Sequence, residues 1–396
     1  MEELFMRVLF FTHHYLDDNS GGSFASRAYI NAFTEIADTC MLMYPDRGIP
    51  VSDFIHNKCI LKGVKDERNK VQKVIDIYRG RIHRYADVMI PQIREFNPDV
   101  VVFDNSRTSA GMLRKVKKMG VKTVIIHHNY EMEYYRGTKP FIAWRFPFMH
   151  YMEEAERTAI QYGDLNLTLT DEDKSLLQMH YDSQHISRIA KLGTFESMPE
   201  RTTLSNEVEA ISTNLKSDLC FAITGTLGAF QTEVSVIPFL EEDYPELLKI
   251  LPDNKLIIAG RNPSIKVINA CAKYPSVKLI ANPIDMQEVM AQSDVYICPT
   301  CVGGGLKLRV MDGLKAGLPV LTHAVSARGY DEFRKGDCLF VYSDKNSFRT
   351  SLQELLQALE EGRLDKATIK NTYTSIFSFE AGVRRLRDIL TDNKLF

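Results

Sequence analysis

The sequence has no surplus of either charge: 49 Lys and Arg stand against 51 Asp and Glu over 396 residues, a formal net charge of -2. That excludes a broadly basic nucleic-acid binder, while leaving room for a local basic patch. No apolar run reaches the roughly 20 residues that span a bilayer. The first residues, MEELFMRVLFF, lack the basic start and small-residue cleavage site of a signal peptide, so a cytoplasmic location is expected. Cysteine is sparse: there are seven, an odd number and mostly scattered, which argues against a disulfide framework and for a reducing compartment. Cys298-Pro-Thr-Cys301 is the exception. Glycines separate it from the helix start that would lower a redox thiol's pKa, and no second such pair or nearby His pair completes a zinc site, so both cysteines are read as structural. Low-complexity tracts, short repeats and heptads are also missing.

With 44% hydrophobic residues, the chain can bury two or three full cores. Its first half alternates strand-length apolar runs (Arg7 to Thr12, Thr39 to Met43, Val100 to Phe103, Thr123 to Ile126, Leu165 to Leu169) with helix-length segments (Phe24 to Ile36, Val71 to Phe96, Gly111 to Met119). Continuous apolar runs suit strands covered on both faces, and strand-helix alternation means a parallel sheet. The second half repeats the plan from Leu219 to Tyr342, with helices around Pro238 to Ile250, Lys266 to Lys273, Met286 to Ala291 and Phe348 to Gly362. Two doubly wound domains are therefore expected, with a polar linker over 200–218 and the boundary between Ser205 and Ser217. Ligands of such sheets bind beyond the carboxyl ends of the strands, so two facing sheets would make one cleft.

The stretch Ser293 to Ala324 carries most of the chemistry. An apolar run from Val295 to Cys298 ends in Pro299, Gly303, Gly304 and Gly305 follow, and Leu306, Val310, Met311 and Leu314 then recur at helical spacing. Glycines allow close backbone approach, the first amides of a helix have no intrahelical partner, and Lys307 and Arg309 add charge, so a phosphate would sit well there. A packing turn remains the plainer alternative.

The order Gly225-Thr226-Leu227-Gly228, FLEE (Phe239 to Glu242), IAGRNP (Ile258 to Pro263), DVYICP (Asp294 to Pro299), GGGLKLRVMDGLKAGLPV and ARGYD (Ala327 to Asp331) resembles the GT-B glycosyltransferases of family 4. Upstream, His128-Asn129-Tyr130-Glu131 resembles that family's H-N-x-E turn, and DLNLTLTDEDK (Asp164 to Lys174) its strand-and-helix start. The likeness covers nearly the whole chain and is stronger in the second half. It implies an α/β fold of GT-B architecture: two Rossmann-like domains facing a central cleft, an acceptor domain over 1–205, a donor domain over 206–375, and a helix in 376–396 crossing back to the first domain. It also implies a retaining transfer from a nucleotide sugar, with UDP or GDP as carrier, without metal or other cofactor, to a glycan or lipid-linked acceptor in cell-surface polysaccharide synthesis.

The resemblance also distributes roles. Gly303, Gly304, Gly305 and Lys307 match the donor-diphosphate loop, where amides and a cation would stabilise the leaving nucleoside diphosphate. Asp312 falls where a glutamate usually binds the ribose hydroxyls. Its companion glutamate would fall at Gly304, so the usual carboxylate for the donor sugar is missing. His128 is placed beside the donor sugar, and with Lys307 and Asp312 forms the set expected to act on the reaction; Glu131 orients the turn or the acceptor. Thr226, Arg261, Pro283 and Ile284 complete the donor side, the last two in a loop whose backbone reads the base. Gly21, Gly22 and Ser23, in the loop opening the first helix with Ser23 as a candidate N-cap, border the diphosphate and the acceptor. His13 and His14 lie at a strand end, but adjacent histidines chelate poorly and no metal is expected.

Two basic clusters, Lys70, Lys73, Arg79, Arg81 and Arg84, and Arg114, Lys115, Lys117 and Lys118, give the first 150 residues a net charge of roughly +5. An anionic membrane surface is a candidate partner, with peripheral placement at its inner face; a solvated helix face is the alternative. Two further functional readings share the two-domain plan: a nucleotide-sugar 2-epimerase, and a non-catalytic sugar-nucleotide binder favoured by the glycine at 304.

Overall fold

A computed structural model describes residues 6–138, 145–182, 184, 186–198, 219–335 and 338–395. The linker expected over 200–218, and the boundary within it, lie outside these residues. The chain forms two compact units, one of Met1–Arg136, Pro140–Thr202 and Ile376–Phe396, the other of Gly137–Lys139 and Thr203–Ser375.

The first unit is built on seven parallel strands: β1 (Arg7–Thr12), β2 (Thr39–Pro45), β3 (Ile60–Val64), β4 (Val100–Asp104), β5 (Lys122–His127), β6 (Leu165–Thr168) and β7 (Ile189–Lys191), in the order β3-β2-β1-β4-β5-β6-β7. The central strands are buried along their length, as their unbroken apolar sequences require. β3 and β7 lie at the two edges and carry no long apolar run, which is why periodicity passes over them. The expected helix from Val71 to Phe96 is two, Lys70–Tyr78 and Met89–Phe96, interrupted where Gly80 takes φ +73°. Ser23 is not the cap of the first helix. The helix spans Gly21–Ile36, Ser20 accepts from the Ser23 amide, and Gly21 and Gly22 belong to its first turn.

The last helix, Phe379–Asp392, packs on Gly21–Ile36. Arg385 ties it down, donating to the carbonyls of Leu192 (2.5 Å), Thr194 (3.1 Å) and Ile376 (3.1 Å). Gly382 faces the buried Phe195 ring, and a Cβ there would lie 2.1 Å from it. Helix propensity alone favours alanine over glycine by about 1 kcal/mol. The clash reverses the sign: Gly382→Ala is expected to lower the stability of this unit by about 1–3 kcal/mol, read as an earlier urea midpoint with unchanged slope.

The second unit has six parallel strands: β8 (Cys220–Thr226), β9 (Lys255–Arg261), β10 (Val277–Ala281), β11 (Val295–Cys298), β12 (Val320–His323) and β13 (Leu339–Tyr342), in the order β10-β9-β8-β11-β12-β13. The helix expected from Pro238 to Ile250 begins earlier, at Phe230, and passes through a π-turn at Phe239–Asp243 before Tyr244–Ile250. Pro238 cannot donate to the ladder, and the π-turn follows it directly, closed by the Tyr244 amide on the Phe239 carbonyl.

Candidate functional site

In each sheet the strand order reverses direction between two central strands, β1 and β4 in the first and β8 and β11 in the second. Such switch points leave a crevice at the carboxyl ends of the strands, and the glycine loop with Lys307 and the turn with His128 lie at the two of them.

In the second unit, the Gly225 to Gly228 turn follows β8 and the glycine loop follows β11. Arg309, on the helix Leu308–Lys315, links them: its guanidinium lies over Gly225, where a Cβ would come within 2.6 Å of it, and it donates to the Thr232 hydroxyl at 2.7 Å. Gly303 and Gly305 adopt φ +87° and +70°, which explains glycine at both. Lys307 precedes the helix as its N-cap; its ammonium donates to the Gly304 carbonyl at 2.5 Å, and its own carbonyl accepts from the buried Tyr330 hydroxyl at 2.8 Å. The first turn of the helix carries no acid, leaving its amide end electropositive.

Asp312 is exposed on the same helix. The buried Tyr296 beneath it has its phenol pushed up, chiefly by burial and then by the Asp312 charge, while Gly313 lets the helix lie against the Tyr296 ring. Thr226 and Arg261 are register partners at the ends of β8 and β9. The Asn262 amide donates to the Asn282 side chain at 2.8 Å, so the turns after β9 and β10 are tied together. Pro283 and Ile284 follow in the second of these turns, and Ile284 is fully exposed. The structure thus groups Gly303, Gly304, Gly305 and Lys307 with Thr226 at the switch point, and sets Arg261, Pro283 and Ile284 along the β9–β10 side.

In the first unit the centre is Asp104, at the carboxyl end of β4 and fully buried. One carboxylate oxygen lies 2.5 Å from His128 Nε2; the other accepts from the hydroxyls of Thr12 and Ser26, each at 2.5 Å. Burial alone would raise the Asp104 pKa, but the charge and hydrogen bond of His128 bring it below the ordinary carboxylate value. Reciprocally, burial works to lower His128, and Asp104 more than offsets it, so His128 sits above the ordinary histidine value. Each partner thus favours the charged form of the other, with Glu131 adding a smaller attraction to His128.

His14 packs 5.0 Å from the His128 ring and 4.0 Å from His13. Gly22 is small because of His14: a Cβ on it would fall 2.2 Å from the imidazole. His14 is pushed down to about 4, by burial first and then by the His128 charge, and its Nε2 has no hydrogen-bond partner. His127 points the other way, into the core against Asn166 at 2.9 Å, and burial holds it at about 4. Glu131 is turned inward. It accepts from Asn105 (2.6 Å) and Asn129 (2.8 Å), its own amide donates to Glu156 (2.8 Å), and burial pushes its pKa up. It braces the turn that carries His128.

Among the described residues, His14, Asp104 and His128 bring three ligand-type atoms within 4.8 Å of one another, the one such set. Asp104 is already engaged by three hydrogen bonds, so a cation would have to displace the His128 proton. All seven cysteines are free, and Cys298 is buried. Sequence reasoning missed Asp104, Thr12 and Ser26. The available signal was a charged residue closing the apolar run VVVF at a strand end.

Residues 222–358 match the family model described as Glycosyl transferases group 1. No curated protein sequence matches the chain significantly. Among solved structures the fold is similar to sucrose-phosphate synthase from Thermosynechococcus elongatus, with TM-score 0.68, 10% identity and 98% of each chain covered. It is similar also to Anabaena HepE in complex with UDP and glucose, with TM-score 0.63, 10% identity, and 98% of this chain and 99% of that one covered. The pneumococcal O-GlcNAc transferase GtfA in complex with UDP and GlcNAc gives TM-score 0.59, 12% identity, and coverage of 99% and 100%. These likenesses define the class, an α/β protein of GT-B fold. The sequence match adds a likeness to Glycosyl transferases group 1 that is confined to residues 222–358, within the second unit.

Proposed function

We propose that the chain is a retaining glycosyltransferase that moves a sugar from a nucleotide-sugar donor, carried by UDP or GDP, to a glycan or lipid-linked acceptor in cell-surface polysaccharide synthesis, without a metal. The observation that carries this reading is the glycine loop and Lys307 at the switch point of a sheet within residues 222–358, the stretch that matches Glycosyl transferases group 1. A nucleoside diphosphate fits there by the charge of Lys307 and the electropositive end of the helix, and leaves as an anion when the glycosidic bond breaks. Asp312 is assigned to the ribose hydroxyls, and Thr226, Arg261, Pro283 and Ile284 to the nucleotide. His128, held as a cation by Asp104, is assigned to the hydroxyls of the transferred sugar, with Glu131 fixing its turn and Gly21, Gly22 and Ser23 bordering the acceptor. The UDP named for HepE and GtfA supports a nucleotide donor. Among the described residues no helix is long and apolar enough to cross a membrane.

The test is a thermal-shift panel of UDP-, GDP-, ADP- and CMP-sugars on the wild type, Lys307→Ala and Asp312→Ala, with and without EDTA. One nucleotide should raise the melting temperature, as a ligand selective for the native state does, and both variants should blunt the rise; EDTA should leave it unchanged. A panel with no shift for any nucleotide would overturn the donor site. A shift without transfer to any acceptor, but with release of an epimerised sugar, would replace transfer by isomerisation.

A further inference from the structure

The helix Lys70–Tyr78 has an apolar stripe that faces solvent. Val71, Val74, Ile75 and Tyr78 recur at helical spacing and are 66%, 52%, 43% and 61% exposed, and no residue of the helix is buried. A nine-residue helix is marginal in water on its own, and core-facing helices turn such a stripe inward. Here the helix is fixed from its polar side. Asn69 and Gln72 form a capping box, Arg68 pairs with Asp66 (2.8 Å) and Asp76 (3.1 Å), and the Tyr151 hydroxyl donates to the Tyr78 carbonyl at 3.0 Å. These bonds hold the stripe outward, so its exposure is built in.

The surrounding charge selects what covers it. Residues 65–84 carry seven Lys and Arg against three Asp and Glu, and two of those acids, Asp66 and Asp76, are occupied by Arg68. Asp66 is pulled down to about 2, chiefly by its hydrogen bond from Arg68, so it stays ionised and paired at any working pH. Lys70 at the start of the helix and Arg79 and Arg81 just beyond it flank the apolar stripe, and Lys73 lies within it in sequence, reaching Asp66 only at 3.4 Å. A second copy of the chain would bring the same cationic patch against itself, as a two-fold interface does, with repulsion. An anionic bilayer surface offers both the apolar boundary and the opposite charge.

We infer that Lys70–Tyr78 is a membrane-docking helix that inserts Val71, Val74, Ile75 and Tyr78 into the interface of an anionic lipid bilayer, with Lys70, Lys73, Arg79 and Arg81 on the headgroups. The inference rests on this helix alone and not on the transferase reading, although it supplies the surface on which a lipid-linked acceptor would be met.

The test is co-sedimentation of the full chain with vesicles of phosphatidylcholine containing phosphatidylglycerol, against vesicles of phosphatidylcholine alone. Binding is expected to the first, weakening as salt rises. Lys70→Gln with Lys73→Gln should lower the affinity by about thirty-fold, and Val74→Ser with Ile75→Ser by roughly ten-fold or more. Neither pair should shift the melting temperature, because none of these side chains is buried. Failure to bind anionic vesicles, or variants that bind like the wild type, overturns the inference. So does a wild-type dimer in sedimentation equilibrium that Val74→Ser with Ile75→Ser abolishes, since a second copy is then the occupant. A negative nucleotide panel alongside positive vesicle binding would leave this inference standing and remove only the donor site.

Discussion

Replacing Asp104 with alanine should cost the first unit about 3–5 kcal/mol of stability, the range for removing one member of a buried ion pair. Asparagine at the same position should recover most of that loss and restore no transfer. The geometry gives the reason. Asp104 is fully buried and accepts from three donors, His128, Thr12 and Ser26. Alanine leaves all three without an acceptor and His128 as an uncompensated buried cation, which must shed its proton. Asparagine fills the space and can still accept from the two hydroxyls, but its amide then faces His128 with a donor, so the imidazole must turn to its lone pair and become neutral. Stability and function therefore separate. In the proposed reaction a neutral His128 loses the charge assigned to the sugar hydroxyls, and the rate should fall roughly hundred-fold or more. Urea denaturation reads the first effect, and the imidazole titration of His128 by NMR, expected to drop below the ordinary histidine value, reads the second. An asparagine variant that turns over like the wild type would show that the His128 charge does no chemistry.

The arrangement around Asp104 also marks the limit of what the sequence could tell. Strands with unbroken apolar runs, such as RVLFFT and VYIC, were legible to the residue because both faces of a parallel strand are covered. The edge strand ILKGV was not, since half of it meets water. The glycine loop after β11 was legible because positive φ at Gly303 and Gly305 restricts the residue type. Gly22 was misread for the opposite reason. It sits in a helical turn, and glycine is required there by the His14 ring, a neighbour eight positions away whose approach no local pattern encodes. His127 and His128 differ in a similar way. Adjacent residues at a strand end leave on opposite sides, but whether a side meets Asn166 or Asp104 depends on which strand lies alongside, and strand order is a tertiary fact.

Acid should weaken the first unit above the ordinary carboxylate range, because it buries neutral histidines. His83 and His127 are almost completely buried and held at about 4, by burial in both, with hydrogen bonds to Ala110 and Asn166 opposing. In the unfolded chain they would titrate near the ordinary histidine value of about 6.5. A folded pKa below the unfolded one means that the unfolded state takes up protons first. The stability these residues contribute is therefore whole above about pH 6.5 and is lost as pH falls toward 4, by about 2 kcal/mol each between pH 7 and pH 5. His14, also held at about 4 but only half-buried, adds a smaller share. His128 works in the other direction: its folded pKa is raised, so its contribution is whole below about 6.5 and fades as pH rises through the folded value. Buried Glu131 and Glu156 oppose the loss as well, because burial raises their folded pKa and the folded state then takes up their protons first. The share of His83 and His127 together, about 4 kcal/mol, is a large part of the 5–15 kcal/mol that holds a domain together, so replacing either should change how the urea midpoint depends on pH over this interval. His127→Gln, which keeps a donor toward Asn166 and cannot titrate, should flatten the dependence by the share of one proton. A pH dependence that His127→Gln leaves unchanged would mean that this imidazole reaches water in the native state.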